Sequence, residues 1–288
     1  MSTPPFIELP DSLVVERWSV RSAERAVMRT RLTGTDDWFV LVPGFTGSKE
    51  DFIAVLPLLA DAGFATLSYD QLGQHESDGS ADPRDYDLTS LAADLAALID
   101  TARTRLGFAV GPQLVGHSFG GLVAQRAVAE GLDVAGFTAL CTGPGALPPH
   151  RHGGLSDLIE ALPHTDMASI WAIMRAQAAA AGEQPSDPAV REFLSRRWLN
   201  NDPHQIREFA HQLMTATAVT DPMRDRVAGG LPVTVMWGEF DDAWPLEVQA
   251  AMARDWGAPS AQLAGLGHSP NAQRPDELVA ALLATLRR

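Results

Sequence analysis

The chain has 288 residues, 45% hydrophobic and 20% charged, with 24 Gly and 20 Pro spread along it. This excludes collagen-like, low-complexity and wholly disordered chains and allows one large core. Twenty-two Lys and Arg against 36 Asp and Glu give a net charge of −14, which repels phosphate backbones and anionic lipid and sets nucleic acid aside as a partner.

Met1 to Ser12 carries acids and prolines and lacks the basic start and apolar run of a secretory signal. Leu13 to Val20 and Ala26 to Leu32 are Val-rich with polar interruptions and read as an antiparallel pair. Brief β-branched runs ending in Gly or Pro then alternate with longer stretches of helical spacing, as parallel βα units require. Strands are predicted over Phe39 to Val42, Ala65 to Tyr69, Gln113 to Gly116, Gly136 to Cys141, Val233 to Trp237 and Ala261 to Ala264. Helices are predicted over Lys49 to Ala62, Leu88 to Leu106, Phe119 to Gly131, Leu246 to Asp255 and Pro275 to Leu286, where apolar residues recur at i, i+3 and i+4. The longest apolar stretch, Phe52 to Leu67, is broken by Pro57, Asp61 and Gly63, so no membrane span is expected.

This alternation predicts the α/β class, a mostly parallel central sheet flanked by helices. It stops after Gly145, leaving only helical stretches such as Met167 to Ala181, Asp187 to Leu199 and Asp202 to Thr217. The chain is therefore read as a core over residues 1–143 and 231–288, with a helical cap inserted over 144–230. Trp171, Met174 and Trp198 either form that insertion's own core or line a ligand pocket; they are the candidate substrate-binding residues.

Gly116-His117-Ser118-Phe119-Gly120 follows the strand from Gln113 and opens a helix. A serine on such a tight turn needs small neighbours and leaves its hydroxyl exposed above the sheet. A hydroxyl is a poor nucleophile at neutral pH and needs a base, usually a histidine oriented by a carboxylate. His268 lies in the loop after the last predicted strand. Asp241 and Asp242 follow the strand ending at Trp237, where sites of α/β proteins are built; neighbouring loop residues point in different directions, so only one of the two can meet His268.

The chain resembles the α/β-hydrolase superfamily over nearly its whole length. Pro43-Gly44-Phe45 looks like the oxyanion segment, with Pro43 where His is usual. Asp70-Gln71-Leu72-Gly73 with Ser77 resembles the family's Asp-x-x-Gly-x-Gly-x-Ser loop, with His75 at the second Gly. Gly238, Asp241 and Pro245 match the acid loop, whose spacing selects Asp241 over Asp242, and His268 with Pro275 and Asp276 matches the histidine ending. The resemblance implies acyl transfer with Ser118 as nucleophile, His268 as base, Asp241 as its orienting acid, and the N–H groups of Phe45 and Phe119 as the oxyanion hole. The implied substrate is a small to medium apolar ester, lactone or thioester, with no cofactor and no metal. Relatives use the same triad for C–C bond hydrolysis, a synthase-type elimination or perhydrolysis, and some related folds are small-molecule receptors.

His150 and His152 read as a solvated loop rather than a metal pair. Cys141, the only cysteine, excludes an intrachain disulfide, fits a reducing, cytoplasmic setting and reads as a buried small hydrophobe. His117 is expected to pack under the elbow, the tight strand-to-helix turn that carries Ser118. Glu76, Asp78, Asp82 and Asp85 read as an acidic surface loop, and no function is drawn from Lys49, the only lysine.

Overall fold

In the computed structural model, which describes residues 2–32, 34–180, 182 and 187–286, β1 (Leu13–Val20) pairs antiparallel with β2 (Ala23–Thr30). The second strand starts three residues before the expected Ala26, because a tight turn at Arg21 and Ser22 sets Val20 opposite Ala23 and gives every residue of β1 a partner. The polar run Glu24-Arg25 hides that start from a hydrophobicity reading.

The remaining strands are β3 (Trp38–Val42), β4 (Ala65–Tyr69), β5 (Gln113–His117), β6 (Gly136–Leu140), β7 (Val233–Gly238) and β8 (Ser260–Leu263). They form one eight-stranded sheet in the order β1-β2-β4-β3-β5-β6-β7-β8, parallel from β4 to β8 and antiparallel at β2. Side chains on β3 to β7 are nearly all buried, as expected of a sheet covered on both faces.

The helices, in chain order, are α1 (Val55–Asp61), α2 (Leu88–Leu106), α3 (Phe119–Ala129), α4 (Gly153–Ala161), α5 (Met167–Ala180), α6 (Pro188–Asn200), α7 (Pro203–Thr215), α8 (Thr220–Ala228), α9 (Leu246–Trp256), α10 (Pro270–Gln273) and α11 (Pro275–Thr285). Apolar side chains of α2, α3 and α9 cover one face of the sheet and those of α1 and α11 the other. The single helix expected from Lys49 to Ala62 is instead a 3-10 turn, Lys49–Phe52, followed by α1. Pro57 has no N–H to bond to the Ile53 carbonyl and its ring crowds that oxygen, so a continuous helix cannot form there.

Between β6 and β7 lie α4 to α8. The three helices expected there correspond to α5, α6 and α7; Ala181, the expected end of the first, lies outside the described residues. Asp187 and Asp202 stand just before their helices, where their carboxylates cap the N–H groups of Ala189 and His204. Two helices escape the sequence reading: α4 opens on Gly153-Gly154, and α8 is mostly polar. α8 lies against α3 and α9, on the flank of the sheet. Among the described residues no helix is long and apolar enough to cross a membrane.

The acidic loop is structural rather than merely solvated. Lys49 is fully buried, and its ammonium lies 2.8 Å from Glu50, 3.0 Å from Asp70 and 2.6 Å from Glu76. Burial by itself would depress its pKa; the three carboxylates override that and raise it. Asp78 pairs with Arg17 and accepts the Glu24 N–H, Asp82 caps the turn at Pro83–Tyr86, and Asp85 accepts from Ser80. Replacing Lys49 by Met strips the buried carboxylates of their counter-ion, so it should cost about 3–5 kcal/mol. The urea midpoint of Lys49→Met measures this, and a loss below about 1 kcal/mol would show that the ammonium is not their main compensation.

Candidate active site

Ser118 sits between β5 and α3 with φ 54° and ψ −123°, a left-handed conformation rare for a residue with a side chain. The strain, about 1–3 kcal/mol for such outliers, persists because the surroundings over-determine it. The Ser118 N–H bonds to the Leu140 carbonyl at 3.0 Å, and its own carbonyl accepts the Gly121 N–H at 2.8 Å. A Cβ on Gly120 would collide with the carbonyl oxygens of Val42 and Pro43, and one on Gly116 with the backbone of Gly120 and Gly121. The elbow therefore needs small residues for close approach of backbone to backbone.

His268 lies between β8 and α10, with Nε2 3.0 Å from Ser118 Oγ and Nδ1 2.8 Å from Asp241 Oδ1. In the neutral ring the carboxylate selects the tautomer: Nδ1–H donates to Asp241, which leaves Nε2 to accept from the hydroxyl. Asp241 also takes the Ala243 N–H at 3.0 Å on Oδ1 and the Gln249 amide at 2.9 Å on Oδ2. Burial pushes its pKa up, but His268 and these two donors outweigh burial and hold it below the ordinary carboxylate value. Asp242 points elsewhere. It is exposed at the rim of the cavity and does not cap α9, whose first turn has no side-chain cap.

His117 lies under the elbow as expected, with Nε2 donating to the His268 carbonyl at 2.7 Å. Burial and the nearby His268 push its pKa down to about 3, so it stays neutral. Cys141, also in a left-handed conformation at φ 50°, is buried beside Asp241; burial and that charge push its thiol far up, so it stays protonated and is no nucleophile.

The segment with Phe45 is held by glutamines that the sequence reading missed. Gln71 donates to the Pro43 carbonyl at 2.9 Å, Gln74 to that of Gly44 at 2.7 Å, and Gln205 of α7 to that of Phe45 at 3.3 Å. The Gly44–Phe45 peptide is trans, so fixing the Gly44 oxygen on Gln74 leaves the Phe45 N–H on the opposite side. Among the described residues no hydrogen bond takes up the N–H of Phe45 or of Phe119, the latter at the open first turn of α3. The Phe119 ring stacks on Phe209 of α7, centroids 4.1 Å apart.

Ser118 and His268 open into a cavity of about 380 Å³ walled by Phe45, Leu147, Leu155, Leu213 and Trp244. A cavity of about 500 Å³ lies at the opposite ends of the strands, away from all these groups. Trp171, Met174 and Trp198 are not in the wall near Ser118. They pack with Ile170 and Ile206 in the insertion's own core, and Trp198 is fully buried with its indole N–H on the Met167 carbonyl at 2.8 Å. Of the two readings open for these residues, the core one matches their placement.

His150 and His152 are not paired: His150 is exposed, and His152 bonds to the Leu147 carbonyl at 2.7 Å. Glu50, His75 and Glu76 come together within reach of a single ion, but the Lys49 ammonium already bonds to both carboxylates. Burial pushes His75 down to about 4, so its ring is neutral.

Residues 39–281 match the model of the alpha/beta hydrolase family. Among solved structures, the chain is similar to a thermophilic esterase from Thermogutta terrifontis (23% identity, TM-score 0.72, covering 95% of this chain and 98% of that one). It is also similar to the enol-lactonase of Burkholderia xenovorans LB400 (17%, 0.76, 95% and 100%) and to a bromoperoxidase from Bacillus anthracis (19%, 0.75, 96% and 100%). At such identities these likenesses speak for the fold. The family match spans most of the chain, from β3 through the elbow, the acid loop and His268 into α11, and on that ground the chain belongs to the alpha/beta hydrolase family.

Proposed function

We propose that the chain is a serine hydrolase that cleaves an ester, lactone or thioester of a small to medium apolar substrate through an acyl-enzyme. The observation that carries this reading is the unbroken relay Asp241–His268–Ser118, with contacts of 2.8 and 3.0 Å ending on a strained serine at the floor of a mostly apolar cavity. His268 Nε2 takes the Ser118 proton as Oγ bonds to the substrate carbonyl carbon, and the displaced electron pair goes to the carbonyl oxygen. The N–H groups of Phe45 and Phe119 stabilise that oxyanion. Its collapse expels the leaving group, which takes the proton from His268, and water repeats the sequence to release the acid. Asp241 remains ionised and holds the imidazole in the required tautomer.

The esterase and the enol-lactonase among the similar structures fall within this range of acyl chemistry. The insertion at 144–230, above all α4 to α7, acts in this reading as the cap: Leu155 of α4 and Leu213 of α7 stand over the cavity. The lone buried cysteine fits a cytoplasmic setting.

A fluorophosphonate probe should add once per chain, at Ser118, and multiple turnover of short p-nitrophenyl esters should be lost in Ser118→Ala. Labelling that survives this substitution, or binding without repeated turnover, would overturn the reading. Asp241→Asn should lower kcat by about 10⁴, whereas Asp242→Asn should leave it within about tenfold. The reverse order in two variants shown to be folded by circular dichroism would make Asp242 the orienting acid.

A further inference from the structure

The catalytic cavity has one wall that neither the sheet nor the cap supplies. Ser2 lines the same space as Ser118. Its carbonyl oxygen accepts a 2.7 Å hydrogen bond from Nη2 of Arg197 on α6, whose Nη1 pairs at 2.7 Å with Asp51, another cavity residue. Both side chains of that ion pair are fully buried. The Asp51 carbonyl is held in turn by Asn271 of α10 at 2.8 Å, three residues beyond His268.

The segment from Ser2 onward is therefore tied at both ends of its run along α6. Pro4 is buried, and Ile7 packs on the cluster of Val190, Phe193 and Leu194. The first residues of a domain are usually poorly ordered unless something ties them down. Here a buried guanidinium, anchored by a carboxylate of the core, grips a main-chain carbonyl and delivers Ser2 to the cavity. The Ser2 hydroxyl is itself buried there without a partner.

We infer that the segment Ser2 to Pro4 is a strap forming the end wall of the substrate cavity, and that it limits the length of one arm of the substrate. Arg197 is the positioning residue that holds the strap in place. The substrates admitted are esters with a compact apolar arm, since Phe45, Leu147, Leu155, Leu213 and Trp244 give the cavity apolar contact surface and a longer arm would meet Ser2. The inference rests on reading the site as a serine esterase. A strap that merely fastened α6 to the core would affect stability, and all substrates alike.

Two variants separate these cases: deletion of residues 2–6, which removes the wall and keeps Ile7, and Ser2→Trp, which thickens the wall without touching the tie along α6. Both are assayed on p-nitrophenyl esters from acetate to dodecanoate and on alkyl acetates from methyl to octyl, so that a limit on the acyl arm is told from one on the alcohol arm. The deletion should raise kcat/KM for the long member over the short one by about tenfold or more in one series, mainly through KM. Ser2→Trp should lower the same ratio by about tenfold. If both ratios stay within about twofold in Ser2→Trp while acetate is still turned over, the strap is not a wall, whether or not the deletion variant folds. If the unaltered chain turns over no ester and takes no fluorophosphonate, the catalytic reading falls and this inference with it.

Discussion

The left-handed backbone of Ser118 is the constraint on which the rest of the site depends. A strained serine is stable only if the strand behind it, the helix after it and the neighbouring strand close in so tightly that no relaxed conformation fits. Gly116 and Gly120 allow that closeness, and Gly44 lies against the serine from the side, where a Cβ would come within 3.2 Å of Ser118 Cβ. The segment from Pro43 to Phe45 is thus positioned by the same tight packing that strains Ser118. The stacking of Phe209 on Phe119 extends that packing into the insertion.

Around this centre the fold spends buried charge on position rather than on stability. Buried ion pairs are at best near break-even against apolar packing, because desolvation offsets their attraction. Lys49 joins the 3-10 turn to the loop around Asp70 and Glu76, and Arg197 joins α6 to the same turn through Asp51. Both ties end within a few residues of Gly44 and Phe45. With Gln71, Gln74 and Gln205 on the carbonyls of that segment, they set its register to the sheet on one side and to α6 and α7 on the other.

Much of this was legible in the sequence, because strand alternation and the elbow are local signals. The periods of the βα units located β3 to β7 to within a residue or so, and the resemblance of Gly238 to Pro245 to the family's acid loop singled out Asp241, the carboxylate that lies against His268. What escaped has no local signature. Lys49 reads as an ordinary surface lysine until residues 50, 70 and 76 close around it, and the glutamines at 71, 74 and 205 hold the Phe45 segment through partners distant in the chain. Trp171, Met174 and Trp198 are apolar residues on helices whose rotation about their axes depends on packing, so periodicity shows that they are buried without showing against what. The acidic loop misled because charge alone does not reveal a counter-ion.

The insertion is unequal in its two halves. α6 and α7 each bury five residues, whereas α4 buries none completely and α5 only Ile170. Local opening free energies follow burial, so amide protons of α4 should exchange with solvent well before those of α6 and α7. Gly154 and Leu155 at the start of α4 also border the cavity. The cavity is thus bordered on one side by the half of the insertion with the least buried surface to hold it closed, and on the other by groups fixed in the core.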